Sequence, residues 1–130
     1  MHRYSIELIV EEKHLDENRH VNNIIYLNWA QYISGEHWKK VATQQMLLDY
    51  AWVVSRNEID YLKQLKLNDQ VCITTWIEKC EKATSIRVIE IYNKQKNELA
   101  AKAVIVWYAL NPKTQKPLRI AEDVKNLFGV

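Results

Sequence analysis

Only two cysteines, Cys72 and Cys80, occur in the chain, and their spacing matches no metal-ligand pattern. Reduced thiols, as in the cytoplasm, are the expected state, with no metal site. Runs of like charge are missing too: 18 Lys and Arg are interspersed with 16 Asp and Glu, for a formal net charge of +2. So small and evenly spread a charge argues against nucleic acid as a partner and leaves only a modest bias toward a phosphorylated ligand. No stretch approaches the roughly 20 apolar residues that span a bilayer. The N-terminal MHRYSIELIVEEKH carries charges every few residues and lacks the apolar core of a signal peptide, so export is not expected. Internal repeats, low-complexity tracts and linkers are absent as well, and residues 1–130 are read as one domain.

What the chain does have is apolar and aromatic bulk. At 130 residues and 48% hydrophobic, with five Trp and seven Tyr, it can bury a core, although a domain of this size benefits from a partner that covers further apolar surface. Tyr4 to Glu11 places Ile6, Leu8 and Val10 on one face and predicts a first strand. From Val21 the residues Val21, Ile25, Trp29 and Tyr32, flanked by Ile24, Leu27 and Ile33, recur at helical spacing, a band wide enough to predict burial on more than one side. Asn22 or Asn23 is placed to cap the first turn, and Gly35 to kink or end the helix before a continuation over Trp38 to Leu48.

After Asp49 the texture is β. Ala51–Leu62, Asp69–Lys79, Thr84–Tyr92 and Glu98–Leu110 are rich in β-branched and aromatic residues and are separated by polar turns. Pro117 to Ile120 reads as a short return and Ala121 to Phe128 as a closing helix. One strand, a long helix and then antiparallel strands is an α+β order in which the sheet must wrap the helix.

The segment from His14 to Trp29, HLDENRHVNNIIYLNW, carries the chemistry. Its polar cluster of Asp16, Asn18 and His20 runs straight into the helix. In an extended loop these three, spaced two apart, would share one side. A carboxylate can serve as base or nucleophile, and the first N–H groups of a helix have no intrahelical partner and can polarise a carbonyl oxygen. The plainer reading is that Asp16 caps the following turn and that Asn18 and His20 hydrogen-bond the loop backbone.

This segment resembles the active-site loop of the hotdog-fold thioesterases. Asp16, Asn18, His20, Val21, Asn22, Asn23 and Tyr26 reproduce the pattern D-x-N-x-H-V-N-N-x-x-Y of the acyl-ACP thioesterases, with the tryptophan of that group at Trp29. In the 4-hydroxybenzoyl-CoA thioesterase-like group the loop reads D-x-x-G-H-V-N-N, with its catalytic aspartate at Asp16 and Arg19 in place of the glycine. IDYLKQLKLNDQVCITTWIEK and KAVIVWYALNPKTQKPLRIAEDV resemble the family's later strands and terminal helix, with Asn68 where glycine is frequent, so the likeness covers essentially the whole chain.

The resemblance implies a hotdog fold, an antiparallel sheet wrapped around a long central helix, and a cofactor-free thioester hydrolase. Asp16 would activate water or attack the carbonyl. Asn18 and His20 would position water or move a proton, and amides of Val21 and Asn22 would hold the oxyanion. Asn23, Tyr26 and Gln64 complete the expected substrate contacts. Gln64 and Leu65 stand where the acyl-ACP group has a carboxylate and a cysteine, so a cysteine nucleophile is unsupported. Gln31 replaces a helix glutamate, leaving Glu36 and Glu58 as candidates for a second carboxylate. Lys79, Lys82 and Arg87 cluster around one hairpin; they suit CoA phosphates or an acidic carrier, but solvated strand-end charge is the commoner use.

The expected substrate is an acyl-CoA, with acyl carrier protein thioesters as the alternative and a non-catalytic acyl-binding protein as the competing class. A hotdog dehydratase fits less well, because the loop lacks that group's Asp and His arrangement. The expected assembly is a homodimer or homotetramer.

Overall fold

The computed structural model describes residues 1–130. A short strand β1 (Tyr4–Ile9) leads through a 3-10 turn (Glu12–His14) to the helix α1 (Asn23–Val41) and a short α2 (Gln44–Asp49). Four strands follow, β2 (Ala51–Tyr61), β3 (Gln70–Glu81), β4 (Thr84–Asn93) and β5 (Glu98–Leu110), and then α3 (Glu122–Phe128). The strands form one antiparallel sheet in the order β1-β3-β4-β5-β2, which leaves β1 and β2 as its edges.

Helix α1 lies on one face of this sheet, against β1, β3 and β5. The face it buries is Tyr26, Trp29, Ala30, Ile33, Ser34 and His37, spaced three or four apart. These meet Val71 and Ile73 of β3, Ile89 and Ile91 of β4, and Ala101, Ala103 and Ile105 of β5. The alanines of β5 are small, so the helix can settle close to the middle of the sheet. A second apolar cluster joins Met46, Ile77, Ala109, Ile120, Val124 and Phe128 beneath α3.

The predicted elements are present, and three expectations are corrected. Gly35 does not end the helix; α1 continues to Val41. The break falls at Ala42 and Thr43, where the Thr43 hydroxyl accepts the Met46 N–H (3.1 Å) and starts α2. Burial of α1 is confined to one stripe, leaving Ile24 and Tyr32 59% and 58% exposed. Arg87 is not a solvated strand-end charge, for it points inward from β4 and is 4% exposed.

The chain ends are held together at α3. His2 N–H donates to the Phe128 carbonyl (3.1 Å), and Gly129 caps the helix at φ 72°. A Cβ at Gly129 would stand 2.8 Å from Met1 Cα, so this left-handed position also needs glycine for space.

Arg87 anchors a buried polar chain across the layers. Its Nη1 donates to His37 Nδ1 (2.7 Å) and to the Thr75 hydroxyl (3.1 Å), which donates to the Val88 carbonyl (2.9 Å). Since Arg87 can only donate, His37 Nδ1 must accept, and its Nε2–H donates to His2 Nδ1 (2.9 Å). His37 is fully buried, and burial first, then the charge of Arg87 and the proximity of His2, depress its pKa to about 3.

In the unfolded chain His37 titrates near 6.5. Below that pH the unfolded state takes up a proton that the native state refuses, so stability is full above about pH 6.5 and falls as pH drops toward the folded value. Between pH 7.5 and pH 5 this one site is expected to cost about 2 kcal/mol of stability. Urea melts across that range should show the loss, and His37→Gln should flatten the slope.

Candidate active site

The segment expected to carry chemistry lies between β1 and α1. It is a tight reversal instead of an extended loop: Asp16 N–H donates to the His20 carbonyl (2.8 Å) and Arg19 N–H to the Asp16 carbonyl (3.1 Å). Arg19 makes the turn at φ 64°, the conformation that glycine adopts freely at this position, and its guanidinium forms a bidentate pair with Glu12 (2.7 and 2.9 Å). Both partners are exposed, so the pair contributes little to overall stability.

The reversal brings Asp16, Asn18 and His20 together through the backbone. The half-buried Asp16 carboxylate accepts the N–H groups of Asn18 (2.9 Å) and His20 (3.2 Å), both on Oδ1. Oδ2 makes no hydrogen bond within the chain. The Asn18 and His20 side chains do not bond to Asp16; Asn18 is exposed and His20 half-buried. Thus the aspartate does hold the turn, as the plainer reading had it, and still keeps an oxygen for other work.

Asn22 caps α1, its side-chain oxygen accepting the Ile24 N–H (3.1 Å). The amides of Val21 and Asn22, expected to face substrate, are engaged: Val21 N–H donates to the Leu65 carbonyl (2.9 Å) and Asn22 N–H to the His14 carbonyl (2.9 Å). These bonds close the ladder between the loop and its neighbours, so neither group is available to an oxyanion. The next amide, that of Asn23, opens the helix and has no intrahelical acceptor.

Tyr26 is buried beneath the loop, edge-on to Trp29 (5.8 Å) and Tyr61 (5.4 Å), and burial raises its pKa. It is a core residue that floors the helix start. Gln64 is exposed in the 62–69 loop beside Leu65, whose side chain is buried and whose carbonyl receives Val21 N–H. Of the two candidate second carboxylates, Glu58 is exposed and paired with Arg56 (3.0 Å). Glu36 lies 13 residues beyond Asn23, about 20 Å along the axis.

Three contributors escaped the sequence reading. His14 accepts Glu11 N–H on Nδ1 (2.9 Å) and stands edge-on to Trp29 at 5.3 Å, with burial lowering its pKa. Lys66 bridges to His20, and the Tyr61 hydroxyl donates to the Asn23 carbonyl (3.4 Å). The Lys66 and Tyr61 contacts join segments 38 or more residues apart, for which local spacing gives no signal. No His, Cys, Asp and Glu side chains group as metal ligands, and no helix is long and apolar enough to cross a membrane.

The acyl-ACP thioesterase N-terminal domain matches the chain over residues 1–128. The chain belongs to this family. It is therefore a thioester hydrolase with a hotdog fold, as its relatives and structural neighbours also indicate. The long-chain acyl-CoA thioesterase FadM of Escherichia coli is 25% identical over 121 residues, covering 92% of each chain. The acyl-[acyl-carrier-protein] hydrolase FATB3 of Cuphea viscosissima is 27% identical over 77 residues, 59% of this thioesterase but 19% of that longer protein. The 1,4-dihydroxy-2-naphthoyl-CoA thioesterase Slr0204 of Synechocystis superimposes with a TM-score of 0.84 over 98% of the chain and 96% of its own, at 14% identity.

Replacing the cap, Asn22→Ala, removes the acceptor for Ile24 N–H and should destabilise the thioesterase by about 1 kcal/mol. Chemical denaturation measures that cost, and Asn22→Asp, which keeps an acceptor, should recover most of it.

Proposed function

We propose that this thioesterase hydrolyses acyl-CoA, with Asp16 as base or nucleophile and the Asn23 amide as an oxyanion donor. The observation that carries the reading is the Asp16 carboxylate, pinned through Oδ1 by two backbone N–H groups immediately before a capped helix start. A carboxylate so held loses little further freedom when it meets substrate. The unpartnered first-turn amide supplies fixed positive potential where a carbonyl oxygen gains charge.

Two routes fit these groups. As base, Asp16 takes a proton from water; the hydroxide adds to the carbonyl carbon, and the tetrahedral intermediate collapses with loss of the thiol. As nucleophile, Asp16 adds to that carbon itself, the thiolate leaves, and water cleaves the resulting anhydride. His20, half-buried at the turn, would assist proton transfer, and Asn18 would orient water or thioester. Val21, Asn22 and Tyr26 act by placing the helix start, and Gln64 borders it from the 62–69 loop.

CoA is favoured as carrier because the acyl-CoA relative matches this chain nearly end to end. Acyl carrier protein is the second reading, favoured by the family to which the chain belongs. Asp16→Asn retains Oδ1 for the two backbone donors while removing the charge, so its fold should persist. Thiol release from acyl-CoA should fall by at least ~100-fold in this variant, the scale of a lost acid–base group. Equal release by wild type and folded variant would remove Asp16 from the chemistry. Saturable acyl binding without hydrolysis in either would favour the binding-protein class.

We also infer that two copies pair along β2. That edge strand exposes Val53 (43%) and Tyr61 (47%), while α1 exposes Ile24 and Tyr32, apolar surface that a monomer leaves wet. A homodimer covers it, and a dimer of dimers is the next assembly. Light scattering at micromolar concentration should give twice the chain mass, and Val53→Lys should shift the population to monomer. A wild-type monomer at that concentration would exclude the pairing.

A further inference from the structure

A second cavity lies away from the Asp16 loop, between the C-terminal half of α1, α3 and the sheet. It holds about 70 Å³ of accessible space and is partly open to solvent. Its wall is apolar and aromatic, including Trp38, Trp52, Trp107 and Phe128, with Gly35 and Arg87 also on the lining. Gly35 is 12 residues past Asn23, about 18 Å along the helix, and buried Trp29, Ala30 and Ile33 fill the intervening face.

Three hydrogen-bonding side chains at this cavity lack what burial demands. Arg87 is 4% exposed, and no ion pair in the chain includes it. Both of its hydrogen bonds use Nη1 and go to neutral groups, His37 and Thr75, so no carboxylate of the chain offsets its charge. The indole N–H groups of Trp52 and Trp107 are buried and have no acceptor. Burial of an unpaired cation and of unsatisfied donors is costly, and such groups are normally matched by an anion or an acceptor. The depression of the Arg87 pKa to about 10, caused by burial, expresses the same lack.

We propose that this cavity binds an apolar carboxylate, with the acid group toward Arg87 and its chain or ring among Trp38, Trp52 and Trp107. A carboxylate supplies one negative charge and about four acceptor positions, suiting a guanidinium fork and indole donors. A phosphate would set two charges against one buried cation in an apolar wall, and a hydrocarbon would leave every donor unmatched. Gly35 lines the cavity, and a Cβ there would meet nothing within 4 Å, so a larger side chain has room to enter it. The acid is a free molecule, since about 18 Å of helix and the packed side chains of Trp29, Ala30 and Ile33 separate the cavity from the Asn23 amide.

The test is a titration of tryptophan fluorescence in the full chain, without thioester present. The probes are hexanoate, octanoate and 3-phenylpropionate, each against its primary alcohol. Acids should bind saturably, raise Tm, and bind at least ~10-fold more tightly than the alcohols, the scale of a charged hydrogen bond. Gly35→Leu, which fills the cavity from the helix side, should abolish binding without lowering Tm; Trp52→Phe should weaken acids and spare alcohols. Equal binding of acid and alcohol, no saturable binding, or full binding by folded Gly35→Leu would each overturn the proposal, the second leaving a merely hydrated cleft.

Because this titration involves no turnover, its outcome is independent of the Asp16 mechanism.

Discussion

The N–H groups of Val21 and Asn22 donate to the carbonyls of Leu65 and His14, and this pair of bonds fixes where α1 begins relative to the sheet. Leu65 belongs to the loop that enters β3, and His14 to the turn that leaves β1. The helix start is thereby tied to two strands that pair with each other over Tyr4–Ile9 and Gln70–Thr75. Such bonds, made half in shelter, resist competition from water. The Asp16 turn sits directly on this anchorage, so its carboxylate inherits its position from strand pairing. Occupying these amides structurally also moves the first unpartnered donor one or two residues along, to Asn23.

The fold was largely legible from spacing and texture. Alternation marked the strands, helical recurrence marked α1, and the turn residues divided one strand from the next. Asn68, standing where glycine is frequent, indeed takes φ 69°, as a short polar side chain can. Residue identity also pointed to the candidate site, because Asp16, the asparagines and Tyr26 fall in the order of the related motif. The backbone conformation of the loop was not legible. Arg19 at φ 64° turns the chain back, and a charged, bulky residue gives no local hint of that geometry. Its glycine counterpart in the related motif was the available clue, since a glycine so placed commonly marks positive φ.

Arg87 was misread for a different reason. A cation near a hairpin is ordinarily solvated, and the strand's alternation alone does not distinguish an inward arginine from an outward one. Its burial depends on His37, 50 residues away, and on Thr75 in the neighbouring strand. His37 in turn rests between His2, Tyr4 and Phe128, with ring centroids 4.9 to 5.5 Å away. Partners this distant meet only once the sheet has formed and the chain ends have closed on α3. Gly35 escaped for the complementary reason: its usual meaning, an interruption, is local, whereas its effect here is to leave space beside a helix that continues.

The two ends of α1 therefore have opposite electrostatic logic. At the N-terminal end a carboxylate, Asp16, is held by two backbone donors at a turn that stays in contact with water. At the other end a cation is enclosed with aromatic side chains and neutral acceptors, where its charge is costly and no protein group offsets it. An Arg87 placed only for stability would do better paired or replaced by an apolar residue, since buried charge seldom stabilises a core by itself. The same residue beside open space and two unmatched indole donors has what a complementary acid would need. That imbalance, and not the volume of the cavity alone, gives the second site its chemical identity.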